Sequence, residues 1–345
     1  MSTNLKIWRE SASLIIAAKS NFSQSHLFNY KVLCLQRSGK SGILPNVYVF
    51  PGGNISKSDG NIRWLQIFEK FGHKLDSFKQ LYPKENIPPI LNNTDKNCLP
   101  RYLSLRICAI RETFEECGIL ICKSGKVNYT HNSSTWASYI GGHEILKWQH
   151  RVHDNPNEFL NLCSQFELYP DVWSLKNWSN WMTPPAIPIR FDTMFFFSTF
   201  NQMPDVHREE NEIQNIKWAT PDEYIVLNSN EKIMLPVPQF YEISRIRNFN
   251  DINTLSEHTS KRSCYGCEKY FPYRVNSKEG LYTIFPGDDM YPKSIDKENI
   301  NVEFIKELPI CQVQNRLLMN GDYHKKIFIK NFTPKDKHLP PLIST

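Results

Sequence analysis

Residues 103–117 repeat their apolar side chains at helical spacing and run into Gly118, the residue that most readily takes the left-handed conformation at a helix C-cap. The last turns of this helix spell Arg111-Glu112-Thr113-Phe114-Glu115-Glu116-Cys117-Gly118-Ile119. Glu112, Glu115 and Glu116 stand at i, i+3 and i+4, which places them on one face about 5–6 Å apart at Cβ. Like charges so close destabilise a bare helix. They suit a hard divalent cation, because Mg2+ and Mn2+ take carboxylate oxygens and leave water to complete their shell. An isolated E-x-x-E-E is more simply a solvated acidic face, and two neighbours weigh against that here. Arg111 adjoins Glu112 and can hold a carboxylate in place. Upstream, Phe50-Pro51-Gly52-Gly53 closes a short strand at 47–50, where paired glycines let backbone approach a phosphate or present a carbonyl to a metal.

The rest of the composition sets bounds. A chain of 345 residues has room for two ordinary domains, or for one with large insertions. With 40% hydrophobic and 22% charged residues it can bury a core and is not a disordered chain. The net charge of +6 is spread without a basic block, which suits an anionic ligand and gives no indication of nucleic acid. No run of 18 apolar residues is present, so a membrane-spanning helix is excluded. Nine cysteines are scattered with no signal-peptide pattern ahead of them, which reads as reduced thiols inside a cell.

Along the chain, 11–18 and 30–36 read as buried strands and 61–71 as a helix. From 72 to about 100 the pattern breaks into Pro, Asn and Lys, which predicts a surface insertion. Helical patterns recur at 144–153, 157–166 and 238–249, with a short helix opened by Pro221. An extended apolar segment covers 184–200 and a strand 212–218. Short strands are predicted at 270–275, 281–285, 316–320 and 325–330.

Together, Gly53 and residues 111–119 resemble the Nudix box, G-x5-E-x7-R-E-U-x-E-E-x-G-U with U a bulky apolar residue. Asp59 stands where the pattern has Glu, and Thr113 at the first U. The spacer departs most: residues 60–110 replace the usual seven, so about 60–104 are inserted. Closing the longer loop costs only about 1.7 kcal/mol. The interrupted box, with Trp8-Arg9-Glu10, Trp181-Met182-Thr183-Pro184, Arg190-Phe191-Asp192-Thr193, Pro238-Gln239-Phe240-Tyr241-Glu242 and Pro286-Gly287-Asp288, resembles the acyl-coenzyme A diphosphatase group of the Nudix superfamily, the motif 19 type.

That resemblance implies an α/β Nudix fold, an αβα sandwich around a mixed sheet. It implies a Nudix domain over 8–262 with the insertion inside its box, and a strand-rich extension over 263–345. The implied chemistry is hydrolysis of the diphosphate of coenzyme A or acyl-CoA to 3′,5′-ADP and (acyl-)4′-phosphopantetheine, with Mg2+ or Mn2+ as cofactor. Alternatives are a Nudix pyrophosphatase for ADP-ribose, NADH or a sugar nucleotide, and a silent Nudix-fold binding protein.

By position, Glu115 and Glu116 would ligate metal, Glu112 would be a further ligand or the base, and Arg111 would orient a glutamate. A later acid would join them, with Glu212 preferred over Glu209 and Glu210. The carbonyl of Gly52 or Gly53 would complete the coordination, and Arg37 and Lys40 would contact phosphates. Arg190 and Asp192 are expected to form a structural ion pair. The resemblance implies a peroxisomal location, with cytosol or mitochondrion as alternatives, although the chain ends Leu342-Ile343-Ser344-Thr345 without the usual peroxisomal signal.

Other signals are set aside. Cys264-Tyr265-Gly266-Cys267 has no second pair to build a zinc site. His143-Glu144 is followed by Lys147 rather than His, so it is no zincin motif. His143, His150 and His153 are expected on a solvated helix face, Phe195-Phe196-Phe197 in the sheet core, and Cys117 as a packing residue.

Overall fold

The computed structural model describes residues 8–20, 27–39, 42, 44–92, 97–126 and 136–343. At its centre lies the first strand, Arg9–Lys19. Ala12, Leu14, Ile16 and Ala18 enter one core, and Ile15 and Ala17 enter the other. An unbroken apolar run buried on both faces is what a strand needs when helices cover both sides of its sheet. The helix Arg101–Cys117, hereafter the carboxylate helix, covers the first face. Val237–Ile246 and Ile252–Arg262 cover the second. The architecture is therefore an αβα sandwich.

Its sheet is mixed. The first strand runs parallel to Phe191–Phe200 and antiparallel to Tyr30–Arg37. Lys176–Met182 and Lys269–Tyr270 extend the sheet beyond Phe191–Phe200, and Ile213–Ala219 pairs with the other side of Tyr30–Arg37. The first strand meets Tyr30–Arg37 at Ala17, Ala18 and Lys19, and the two then diverge. Residues 48–54 fill that fork. Tyr48–Val49 pairs with Leu35 and Gln36, while Gly52–Asn54 pairs with Ser11, Ala12 and Ser13.

The box insertion is not a surface excursion, which corrects the expectation for 72–100. Helix Arg63–Lys70 and the 3-10 turns Leu75–Leu81 and Pro89–Leu91 send Trp64, Phe68, Phe78, Leu81, Ile90 and Leu91 into the core shared with the carboxylate helix. Short 3-10 turns bury side chains with neither a helical nor a strand period, so periodicity could not reveal them. The insertion leaves and returns at one place, where Asn61 bridges Cys98 and the Leu99 amide donates to the Gly60 carbonyl at 2.9 Å. Burial of Phe68 alone contributes about 1.5–3 kcal/mol, enough to offset the extra loop closure. Fully buried Arg106 ties the pieces together by donating to the Leu81 carbonyl at 3.0 Å and to Asn177 Oδ1 at 2.8 Å.

Among the elements missed by the sequence reading are a strand and a helix of the sandwich. Lys176–Met182 carries buried Ser179 and Asn180 among its tryptophans, which hides the alternation of a strand. Ile252–Arg262 is a helix capped by Asp251 through the Thr254 amide. Residues 184–190 form a turn rather than the start of a strand. Arg190 and Asp192 are not paired with each other, a second correction. Arg190 donates to the Pro185 and Ile187 carbonyls and stacks over Trp8, which closes that turn. Asp192 accepts from Lys269 and from Asn180, each at 2.7 Å.

The C-terminal region forms a five-stranded sheet. Leu317 and Ile327 on one face join the core behind the first strand. Val275, Tyr282, Ile284 and Leu318 on the other build a small core of their own. Among the described residues no helix is long and apolar enough to cross a membrane, and no disulfide joins the nine cysteines, all of which are described.

If the insertion is structural, Trp64→Ala should destabilise the protein by about 3–5 kcal/mol in urea unfolding, the usual cost of deleting a buried aromatic side chain. A surface excursion would lose no more than about 0.5 kcal/mol.

Candidate active site

The two halves of the box meet through one guanidinium. Arg111 Nε and Nη2 donate to the two oxygens of Asp59 at 2.8 and 2.9 Å. Nη1 lies 2.7 Å from Glu115 Oε1 and 2.9 Å from Glu112 Oε1. Nη2 also reaches the Asn54 carbonyl at 3.0 Å. Asp59 further accepts the Ser56 amide at 2.8 Å in a capping box over residues 56–59. The acid at the first glutamate position of the pattern thus anchors Arg111, a role that the sequence did not assign to it.

The glycine pair is required by crowding. At Gly52 a Cβ would sit 2.3 Å from the Ala12 carbonyl oxygen, and φ is +152°. At Gly53 it would sit 2.4 Å from Glu112 Oε2. With no side chain in the way, the Gly52 amide donates to Glu116 Oε2 at 2.9 Å. Gly118 takes φ 72° as the expected C-cap.

The loop 207–212 docks on the open end of the carboxylate helix. His207 N and Glu209 N donate to the carbonyls of Cys117 and Glu116 at 2.9 and 3.1 Å. Gln149 Nε2 bridges the Glu115 and His207 carbonyls. Glu209 spends its carboxylate inside the loop, on Asn211 and on the Glu212 amide. Glu210 is exposed. Of the three candidate acids it is Glu212 that reaches the cavity beside Glu112 and Glu116, and its charge adds a little to the rise in their pKa.

Burial is the main cause that raises the pKa of all three box glutamates, to about 8 for Glu115. Arg111 opposes the rise at Glu112 and Glu115, while Glu112 adds to it at Glu115 and Glu116. Asp59, Glu112 and Glu115 share this single guanidinium, and Arg111 keeps its proton against burial because Asp59 and Glu112 surround it. The donor set is all-oxygen and carries more negative charge than it neutralises, which fits a hard divalent cation. As they stand, Glu115 is turned to Arg111 and Glu116 to the Gly52 amide. Among the described residues no three His, Cys, Asp or Glu side chains converge as ligands.

A cavity of about 880 Å³ opens on these groups. Arg37 lines it, and its charge draws the Glu116 carboxyl down against the larger effect of burial. Lys40 lies outside the described residues. Phe50, Trp181, Met182, Ile187 and Phe195 give the cavity an apolar side. Phe195 also belongs to the sheet core, as expected of the aromatic run. His153 reaches the cavity as well, unlike the solvated face predicted for it, while His143 and His150 are exposed. Cys117 is fully buried and burial raises its thiol, in keeping with a packing role.

A mixed sheet between helices, with an R-E-x-x-E-E helix facing a Gly-Gly strand end, defines a Nudix hydrolase. The fold is shared with the crystal structure of a NUDIX hydrolase from Alicyclobacillus acidocaldarius, at a TM-score of 0.54 and 17% identity over 74% of this chain and 98% of that one. Residues 8–246 match the NUDT19 Nudix domain model, and the chain belongs to that family. It is 35% identical to acyl-coenzyme A diphosphatase NUDT19 of Xenopus laevis over 99% of this chain and 97% of that protein. With the Homo sapiens protein of the same name it shares 29% identity over 97% and 94% of the two chains.

Removing Arg111 leaves Asp59 buried without its partner, so Arg111→Met should lower stability by about 3–5 kcal/mol in urea unfolding. A loss below about 1 kcal/mol would mean that the two halves of the box are held together by something else.

Proposed function

We propose that the protein hydrolyses the diphosphate of coenzyme A and acyl-CoA, releasing 3′,5′-ADP and (acyl-)4′-phosphopantetheine. The observation that carries this reading is the cavity itself. It brings the box glutamates, the glycine strand end and a long apolar wall into one space, as a ligand with a diphosphate and a pantetheine arm requires. The family relatives named as acyl-CoA diphosphatases support the choice of substrate.

Nudix hydrolases in general need a divalent metal. Here Mg2+ or Mn2+ would be held by Glu112, Glu115, Glu116 and Glu212, and would supply charge neutralisation and a lowered pKa for bound water. The chain's own residues prepare the rest. Arg111 fixes Glu112 through Oε1, which leaves Oε2, beside Gly53, to accept a proton from the attacking water. The Gly52 amide fixes Glu116. Arg37, and Lys40 by its position in the sequence, would meet the diphosphate oxygens. Trp181, Met182 and Ile187 exclude water along the pantetheine arm. An intracellular site is part of the reading, with the peroxisome first and the cytosol or mitochondrion next, on the family resemblance.

The test is a substrate panel of coenzyme A, acyl-CoAs, ADP-ribose and NADH with Mg2+ or Mn2+. Selective release of 3′,5′-ADP from the coenzyme A species is expected, and chelation with EDTA should abolish it. Brisk ADP-ribose cleavage without coenzyme A turnover would sink the reading. Glu116→Gln should remove turnover while circular dichroism and melting stay near wild type. Near-normal activity in that variant would refute its assignment as a ligand.

A further inference from the structure

The C-terminal sheet does more than cover the core. Its register sets Arg274 opposite Thr283 and Thr283 opposite Leu317, and directly opposed residues share a face. Leu317 and Ile327 on that face are interior. The neighbouring row brings Met319 and Lys325. Arg274, Thr283, Met319 and Lys325 therefore reach the same cavity as Glu112 and Glu116. Cations from this sheet face the space in which the acids act.

Arg274 is half-buried, and burial lowers the pKa of its guanidinium. Among the described residues no carboxylate, carbonyl or aromatic ring receives it. A guanidinium offers five donors in a fixed fork and remains charged, so a desolvated one without a partner is costly unless an anion arrives. Lys325 is only 8% exposed, lies 5.8 Å from the Phe240 ring and donates to the Asp322 carbonyl. Burial brings its pKa down to about 8, while the Asp322 charge supports the ammonium. Gln239, 7% exposed in the first turn of Val237–Ile246, lines the cavity too, and among the described residues its side-chain amide has no hydrogen-bond partner. The amides at the start of that ten-residue helix add a favourable field for an anion.

We propose that Arg274, with Lys325 and the Gln239 amide, forms a second anion subsite in the catalytic cavity, and that this subsite takes the substrate's phosphomonoester. On the coenzyme A reading, on which this assignment rests, that group is the 3′-phosphate that departs with 3′,5′-ADP. Arg274 and Lys325 are three strand spacings apart across the sheet and offset by two residues along it, about 16 Å at Cα, so they approach the group from two sides. The extension after residue 262 thereby supplies specificity, and the box supplies the chemistry.

The experiment measures kcat/KM for coenzyme A and for 3′-dephospho-coenzyme A in the full-length wild type and in Arg274→Ala, Arg274→Lys and Lys325→Met. The wild type should favour coenzyme A. In Arg274→Ala the ratio of the two values should fall roughly ten- to hundredfold, mainly through KM for coenzyme A, as expected when a charged hydrogen bond to phosphate is lost. Arg274→Lys should recover part of the ratio, and Lys325→Met should lower it less. A wild-type ratio in both Arg274→Ala and Lys325→Met overturns the subsite and leaves the coenzyme A reading standing. If Arg274→Ala does not fold, a wild-type ratio in Arg274→Lys and Lys325→Met overturns it equally. A wild type that cleaves ADP-ribose but neither coenzyme A species overturns both.

Discussion

The bidentate pair between Arg111 and Asp59 holds together what the sequence separates. Asp59 ends the first half of the box, Arg111 begins the second, and the whole insertion lies between them. Burying two opposite charges is favourable only when their remaining donors and acceptors are used. Here they are: the guanidinium also serves Glu112, Glu115 and the Asn54 carbonyl, and Asp59 takes the Ser56 amide. Two residues beyond Asp59 the insertion departs from the box, and Cys98 brings it back against Asn61. The insertion can be long because its root is fixed next to a pair that cannot move without exposing buried charge.

From that fixed point the acids acquire their positions in turn. Arg111 sets Glu112 and Glu115, and the Gly52 amide sets Glu116. The loop that caps the end of the same helix delivers Glu212. A site assembled in this way concentrates negative charge in a place with little water. Such an arrangement suits a hard divalent cation, and without one burial favours the protonated carboxyls.

Much of this was legible in the sequence, for reasons that differ by element. The carboxylate helix announced itself through period, acids and a C-cap glycine. The first strand did so through an apolar run too long for a half-exposed strand. Lys176–Met182 did not, because buried polar residues interrupt its pattern, some of them held by distant partners: Asn177 Oδ1 accepts from Arg106, and Asn180 Nδ2 donates to Asp192. The role of Asp59 was hidden in the same way, since its partner lies 52 residues away in sequence. The family segments proved partly structural. Glu242 receives the indole N–H groups of Trp178 and Trp181 at 2.8 and 2.7 Å, and Asp288 holds Arg316. Residues of this kind look functional in a linear pattern because their removal unfolds the site's walls.

The extension after residue 262 illustrates the limit of reading boundaries from patterning. Its short strands leave open, from the sequence, whether they form a unit of their own or pack on the Nudix domain, because patterning marks a strand and not what covers it. One face packs against the core behind the first strand, and its rows continue into the cavity. The opposite face needs only the small cluster around Val275 and Tyr282. A sheet that buries Leu317 and Ile327 against the catalytic domain cannot leave without exposing apolar surface there, and it would take Arg274 and Lys325 with it. The box and the extension are therefore parts of one site: acids and glycines on one wall, cations on another, and an apolar side lined by Phe50, Trp181 and Met182.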